Sequence, residues 1–570
     1  MIKKRILKLR KFINLYNLDG YIVPKNDAYF SEFAYPDRLK NISDFNGSAG
    51  FAIILKKENF LFVDGRYTIQ AQNQSSKNFK IIEIPKQTLK NQIKKYNKKL
   101  LLGFDPQLFT NKSIKKRFQN IATLIPINEN LIDKVFKKKD SRNVNPFYEL
   151  SNKITGETTT LKIKRLLKHI KKKDINNIFI SAPENVAWLL NLRGKDNPNS
   201  PIPNCKIILT NKKEIFFFSC PKKIGFIKKN NNYKNFIYCT YEDFSNVINN
   251  LSGKNFCVDE MTCSVANEII IAKKFKIKLR TDPCYIMKSI KNKFEIKNMI
   301  NTHVKDGLAL TKFIYWMKNN KKKKITEVMA QNKLEQFRKL NKNYLFPSFN
   351  TIAGSGSNGA IVHYRATKKS DKIIKDSDIF LCDSGGQYKF GTTDVTRTIC
   401  FSPQKKLIKN MFTRVLKGHI AVAQIDLNKF NTGKKIDSKA RQFLKKDGFD
   451  YSHGTGHGVG FFLNVHEGPQ AISKYNSIIL KEGMILSNEP GYYKKNHYGI
   501  RIENLVYIKK NKNNLYFENL TLAPIDNDLI NYELLTTKEK NYLFKYHLDI
   551  YSKYSKFLDL KEKKWLASLI

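Results

Sequence analysis

The 570-residue chain has no CxxC pair among its eight cysteines, and its 49 acidic residues stand against 103 basic ones. The cysteines, among them Cys205, Cys220, Cys257, Cys382 and Cys400, follow no regular framework. That excludes a thiolate zinc site of familiar spacing and a disulfide-stapled secreted scaffold, and suits reduced thiols in a cytoplasmic protein. No run of about 18 apolar residues occurs, so no membrane-spanning helix is expected. The basic start, MIKKRILKLRKFINLYNLDG, never stays apolar long enough for a signal peptide. The net charge of +54 raises the question of a polyanionic partner. Lysine far outnumbers arginine, however, and is spread along the chain beside Asn and Ile, with no basic stripe interleaved with aromatics. This pattern reads as a solvated basic surface, with neither nucleic acid nor membrane as the partner.

What is present is core material: 41% of residues are hydrophobic and 12% aromatic, enough for two to four domains. Ile2, Ile6, Leu9 and Ile13 repeat with a helical period before an apolar run, Tyr21 to Pro24, that reads as a buried strand. Strand-like runs follow at Phe51–Leu55 and Phe60–Asp64, then a Gly103-Phe104-Asp105-Pro106 turn and a lysine-rich linker, Lys134–Asn145. A second α/β unit has strand-like Asn177–Ser181, Lys206–Thr210 and Glu214–Ser219, an Asn/Lys-rich surface loop at Lys228–Asn235, and an end near Met287. From Phe294 an amphipathic helix with Ile296, Ile300, Val304 and Leu308 leads into glycine-rich turns between β runs. After Leu505 a tail begins whose Thr536-Thr-Lys-Glu539 and Asp559-Leu-Lys-Glu562 read as helix starts, and whose aromatics suggest docking or dimerisation. The expected divisions are residues 1–140, 141–290, 291–508 and 509–570.

The third segment carries the chemistry. In DIFLCDSGGQYKFGTTDVTRTI, Asp383 and Asp394 sit on two strand-like runs joined by a glycine-containing turn, so both carboxylates can converge on one face. Taken alone, Asp383 reads as an Asx turn and Asp394 as a strand-end acid satisfied by Thr hydroxyls or Arg397. The string HGTGHGVGFFLNVHEGP changes the balance, because His453, His457 and His466 lie among glycines that permit close approach, where core histidines would want bulk packing. Glu489 in ILSNEPG and Glu503 in GIRIEN add carboxylates at the ends of β runs, where buried acids need a cation. Four carboxylates and one imidazole form a hard, oxygen-rich set that suits manganese or a similar divalent ion.

In order and context Asp383, Asp394, His457, Glu489 and Glu503 resemble the metal-ligand pattern of the pita-bread metallopeptidases, the methionine aminopeptidase, prolidase and aminopeptidase P group. The strings AYFSEFAYPDRLKNISDFNGSAGFAII, VDGRYTIQAQ, AWLLNLRG, HGTGHGVGFFLNVHEGP and LTLAPIDNDLI resemble the large three-domain Xaa-Pro aminopeptidases, over nearly the whole chain. The resemblance implies an α/β (α+β) fold: two creatinase-like N-terminal α/β domains, a pita-bread catalytic domain and a short helical C-terminal tail. It also implies two divalent ions per subunit, usually manganese, a homodimer, and peptide substrates with proline at the second position. By it Asp383 would bind one ion bidentately, Asp394 and Glu503 would bridge, and His457 and Glu489 would complete the other shell.

A hydroxide activated by both ions would then attack the carbonyl preceding proline. Glu489 matches the proton shuttle, His363 and His466 match histidines that bond substrate or its tetrahedral intermediate, and His453 matches one lining the proline pocket. Arg501 would orient a ligand carboxylate from behind, its plain reading being a surface salt bridge. Arg66 matches an arginine reaching the substrate, its plain reading being an interdomain ion pair. The rivals are a prolidase limited to Xaa-Pro dipeptides, a non-catalytic peptide-binding module on the same fold, and a nucleic-acid-associated protein.

Overall fold

The computed structural model describes residues 1–94, 96, 98–136, 144–229, 233–320 and 324–570. The cores of the expected Lys134–Asn145 linker and Lys228–Asn235 loop lie outside the described residues. The chain forms two compact units: residues 1–150 with 157–285, and residues 151–156 with 286–570. None of the eight cysteines is joined in a disulfide, and among the described residues no helix is long and apolar enough to cross a membrane.

The N-terminal unit repeats one design. Its first six-stranded sheet runs, edge to edge, Lys80–Ile84, Asn59–Asp64, Phe51–Leu55, Gly20–Pro24, Leu100–Phe104 and Ala122–Pro126. The second runs Ile237–Cys239, Ile215–Phe218, Lys206–Thr210, Asn177–Ile180, Asn255–Val258 and Lys276–Leu279. In both, neighbours pair parallel, antiparallel, antiparallel, parallel and parallel in that order. The strands read as unbroken apolar runs because both faces of the sheet are covered. Tyr21, Val23, Ala52 and Ile54 enter one core, into which the helix Ile2–Leu15 packs Ile2, Ile6, Leu9 and Ile13. Ile22, Phe51, Ile53 and Leu55 enter the core on the other face.

The C-terminal unit begins with the helix Lys293–Asn319, which Asn292 and Glu295 start with a capping box. Its buried face differs from the expected row. Ile300 is exposed and Ile296, Val304 and Leu308 are half-buried, while Met299, Thr302, His303 and Asp306 are fully covered. Asp306 can occupy the inner face because it is satisfied there: Arg338 Nε donates to Asp306 Oδ1 at 2.8 Å, and Tyr388 Oη donates to the same oxygen at 2.6 Å. Three antiparallel strands, Ile352–Ser355, Ile379–Ser384 and Val395–Cys400, form one sheet; Ile485–Asn488, Asn504–Asn511 and Asn514–Asn519 form another. Helix Lys406–Ala423 packs behind them. In the tail both capping boxes form, starting helices Thr537–Tyr554 and Leu560–Ala567. The first buries Leu543, Tyr546, Ile550 and Tyr554 in the same core as Phe412 and Ile500.

Candidate metal centre

Strand pairing brings the five candidate ligands together. Asp383 lies in Ile379–Ser384 opposite Thr396, and Asp394 immediately precedes Val395–Cys400, so both acids sit at one end of that ladder. In the other sheet Asn488 pairs with Asn504, so Glu489 and Glu503 leave a shared ladder end side by side. The two sheets meet at Glu503: its N–H donates to Thr396 O at 3.1 Å, and Thr396 Oγ1 donates to its Oε2 at 2.7 Å. His457 belongs to the two-residue strand Gly456–His457, paired with Ala471–Ile472. The glycines of that string now have a reason, since a Cβ on Gly456 would lie 1.9 Å from Ser487 O and one on Gly458 2.1 Å from Glu467 O. Only bare backbone lets three chain segments crowd the imidazole.

The His457 Nδ1–H donates to Gly458 O at 2.9 Å, which aims Nε2 at the acids, 3.4 Å from Asp394 Oδ2 and 3.5 Å from Glu489 Oε1. One ligand atom from each of Asp394, His457 and Glu503 lies within 4.8 Å of the others. Burial, with the nearby charge of Asp383, pushes the Asp394 carboxyl up to about 6. Burial, then the charges of Asp394, Glu489 and Asp383, raise Glu503 well above the usual carboxylate range. The buried Oδ1 of Asp383 has no hydrogen-bond partner among the described residues. Like charges crowded in a desolvated site, with one orphaned oxygen and an imidazole lone pair turned inward, are a donor set that fits divalent cations.

The plain readings of two residues fail here. Arg397 makes no bond to Asp394, its donors going to other oxygens. Arg501 is no surface residue: it is 2% exposed and donates to Asp383 Oδ2 at 2.6 Å, to Thr396 Oγ1 at 3.1 Å and to Tyr493 Oη at 2.6 Å. Tyr493 Oη in turn lies 2.9 Å from His453 Nε2, whose Nδ1–H donates to Gly454 O, so the phenol donates to that nitrogen. His453 is thereby tied through Tyr493 and Arg501 to Asp383. His466 stacks edge-on against His457 with centroids 4.2 Å apart and is exposed. His363 is half-buried, next to Val362, whose carbonyl faces the Arg501 guanidinium at 3.4 Å. Arg66 belongs to the N-terminal unit, where it makes a bidentate pair with Asp64 at 2.9 and 2.8 Å.

Thr396, Ser487 and Tyr493 escaped sequence reasoning. Ser487 Oγ donates to Glu489 Oε1 at 3.1 Å and receives the His457 N–H at 2.9 Å. A hydroxyl residue two positions before an acid carries no distinctive signal. For Tyr493 a signal existed: GYYK and YGIR around a polar turn read as a hairpin, and the formed pair sets Gly491 opposite Arg501, with Tyr493 two residues along the same strand.

Comparison with known proteins gives these features a lineage. Residues 297–510 match the model of metallopeptidase family M24, residues 5–135 and 138–295 match creatinase/prolidase N-terminal domains, and residues 513–569 match the C-terminal region of that peptidase family. A probable Xaa-Pro aminopeptidase P of Laccaria bicolor is 36% identical over 599 residues, covering 99% of this chain and 92% of its own. Xaa-Pro aminopeptidase 1 of Dictyostelium discoideum is 34% identical over 615 residues, covering 100% and 96%. The crystal structure of an X-prolyl aminopeptidase from Caenorhabditis elegans, described as a cytosolic enzyme with a di-nuclear active site, superimposes with a TM-score of 0.92 at 30% identity. It covers 100% of this chain and 99% of its own. The chain belongs to the aminopeptidase P family of M24 metallopeptidases.

Proposed function

We propose that this enzyme removes the N-terminal residue from peptides whose second residue is proline, using two divalent cations held by Asp383, Asp394, His457, Glu489 and Glu503. The observation that carries the reading is the cluster of Asp394, Glu503 and His457 ligand atoms within 4.8 Å of one another, with Glu489 Oε1 3.5 Å from His457 Nε2 and the buried Asp383 Oδ1 unsatisfied. The oxygen-rich set favours manganese over a thiolate-seeking ion. Bound there, the cations supply Lewis acidity for the scissile carbonyl and lower the pKa of a shared water.

The side chains do the rest. Asp394 and Glu503, buried between the two ladders, would be shared ligands of the cations, and Asp383 is held in position by Arg501. Glu489 is only half-buried, so it can face substrate and pass a proton from water to the departing prolyl nitrogen. His466, beside His457, and His363 supply donors for the substrate carbonyl and its tetrahedral successor. His453 keeps Nε2 as acceptor for Tyr493 and presents its ring to the proline side. Proline has no amide N–H, so recognition has to come from such ring packing. Arg66 is proposed as a substrate-binding residue on the family resemblance alone.

The match to Xaa-Pro aminopeptidases over the full length of the chain argues for an aminopeptidase over a dipeptide-specific prolidase. A cytoplasmic location agrees with the description of the nematode relative as cytosolic, and a homodimer is proposed on the family resemblance alone. The test is cleavage of an Xaa-Pro-Yaa tripeptide and an Xaa-Pro dipeptide by metal-stripped protein, with and without manganese. Manganese-dependent release of the first residue from the tripeptide is expected; cleavage of the dipeptide alone would make the enzyme a prolidase, and no cleavage with any divalent metal would leave a binding module.

A further inference from the structure

Arg397 is buried in the C-terminal unit, and every acceptor it meets among the described residues is a neutral oxygen. Nε donates to Ala523 O at 3.3 Å and Pro524 O at 3.0 Å, and Nη1 to Thr396 O at 2.8 Å and Glu503 O at 2.7 Å. Nη2 donates to Asn504 Oδ1 at 2.8 Å, Ala523 O at 2.7 Å and Tyr546 Oη at 2.9 Å. A desolvated guanidinium without a carboxylate partner is costly, so its charge needs a use. Neighbouring imidazoles do not share it: burial, then the Arg397 charge, pushes His419 down to about 3 and His547 down to about 4, which keeps both neutral.

The acceptors come from two places. Thr396 and Glu503 belong to the acid cluster, whereas Ala523, Pro524 and Tyr546 belong to the C-terminal region. The strand Val395–Cys400 is the edge of its sheet, and the segment 521–526 covers that edge through side chains, with Cys400 N donating to Asp526 Oδ2 at 2.9 Å. Tyr546, on helix Thr537–Tyr554, uses its hydroxyl fully: it accepts from Arg397 and from Ala523 N at 3.2 Å, and donates towards Ala523 O at 3.0 Å.

We infer that the C-terminal helix is part of the scaffold that holds the metals, with Tyr546 a positioning residue that acts through Arg397 on the backbone of Thr396 and Glu503. The inference rests on the proposed role of Glu503 as a ligand. Losing the phenol hydroxyl removes one of the three Nη2 acceptors and the donor that steadies Ala523 O, loosening the guanidinium and with it the Glu503 carboxylate, aimed by Thr396 from the same clamp. Groups that orient metal ligands in this way are commonly worth about 10–100-fold in affinity.

The experiment is calorimetric titration of metal-stripped, full-length protein with manganese, for wild type, Tyr546→Phe and Tyr554→Phe. Tyr554 donates to Leu522 O at 2.9 Å from the same helix without touching Arg397, so it removes a comparable tail bond. Expected is a fall of about tenfold or more in manganese affinity for Tyr546→Phe, with kcat reduced and KM for the tripeptide unchanged, while Tyr554→Phe matches wild type. Manganese affinity at the wild-type level in Tyr546→Phe, equal losses in both variants, or misfolding of Tyr546→Phe alone would overturn the inference, since each makes the residue one of packing. Wild-type protein that takes up no manganese would instead strike at the proposed function.

Discussion

Asp394→Asn should change how the metal-stripped enzyme's stability depends on pH. Burial pushes the Asp394 carboxyl up to about 6 in the folded chain, from the 3.8 of a free aspartate. Two pKa units at about 1.36 kcal/mol each correspond to roughly 3 kcal/mol. The direction follows from linkage: with the folded pKa raised, the folded state holds its proton more tightly, so the stabilisation is complete below the unfolded pKa and is lost as pH rises through about 6. Glu503, raised for the same reasons, adds to the same slope. Between about pH 3 and pH 7, stripped wild type should therefore lose about 3 kcal/mol more than Asp394→Asn, whose amide stays neutral throughout. Urea unfolding reads this cleanly in a Trp188→Phe background, because the remaining tryptophans, Trp316 and Trp565, both report on the C-terminal unit. Saturating manganese should abolish the decline, since cations hold both acids ionised and their binding releases protons. Parallel pH profiles for wild type and Asp394→Asn without metal would refute the reasoning.

Three further outcomes are expected. Gly456→Ala drives a methyl into the Ser487 carbonyl and should cost about 1–3 kcal/mol in thermal unfolding while abolishing peptide cleavage, because His457 must move with the strand. Glu467→Gln leaves Lys288 and Lys291, both buried against that acid at 2.9 and 3.3 Å, without its charge; urea denaturation should show a loss of about 3–5 kcal/mol that added salt does not reproduce in wild type. Glu489→Gln should keep the fold, measured by circular dichroism, and lower kcat by about 10²–10⁴.

Much of the architecture was legible because periodicity and burial agree where one face or both faces are apolar. The Ile2–Leu15 helix and the strands at Phe51–Leu55 and Lys206–Thr210 follow the apolar pattern residue for residue. The helix Lys293–Asn319 was found by pattern, yet its face was misread, since Asp306 and His303 are buried by virtue of partners more than 30 residues away or one turn back. Local sequence cannot show such pairs. The candidate ligands stood out because acids at strand ends and histidines among glycines have no structural use in that density. Thr396, Tyr493 and Arg397 stayed hidden for the opposite reason: a threonine in a strand, a tyrosine in a hairpin and an arginine near an acid each look ordinary until the two ladders meet. The duplication of the N-terminal sheets was implied by the family resemblance and not by any repeat in the residues, because strand order is a property of the fold.

The central claim is that these five side chains hold two cations that act together. Its most direct test is stepwise addition of manganese to the stripped enzyme, following bound metal and release of the first residue from an Xaa-Pro-Yaa peptide in the same samples. The account predicts two ions bound per chain, with cleavage rising as they bind and absent in their absence. Cleavage by the fully stripped protein, or binding that survives simultaneous replacement of Asp394 and Glu503 by their amides, would contradict it.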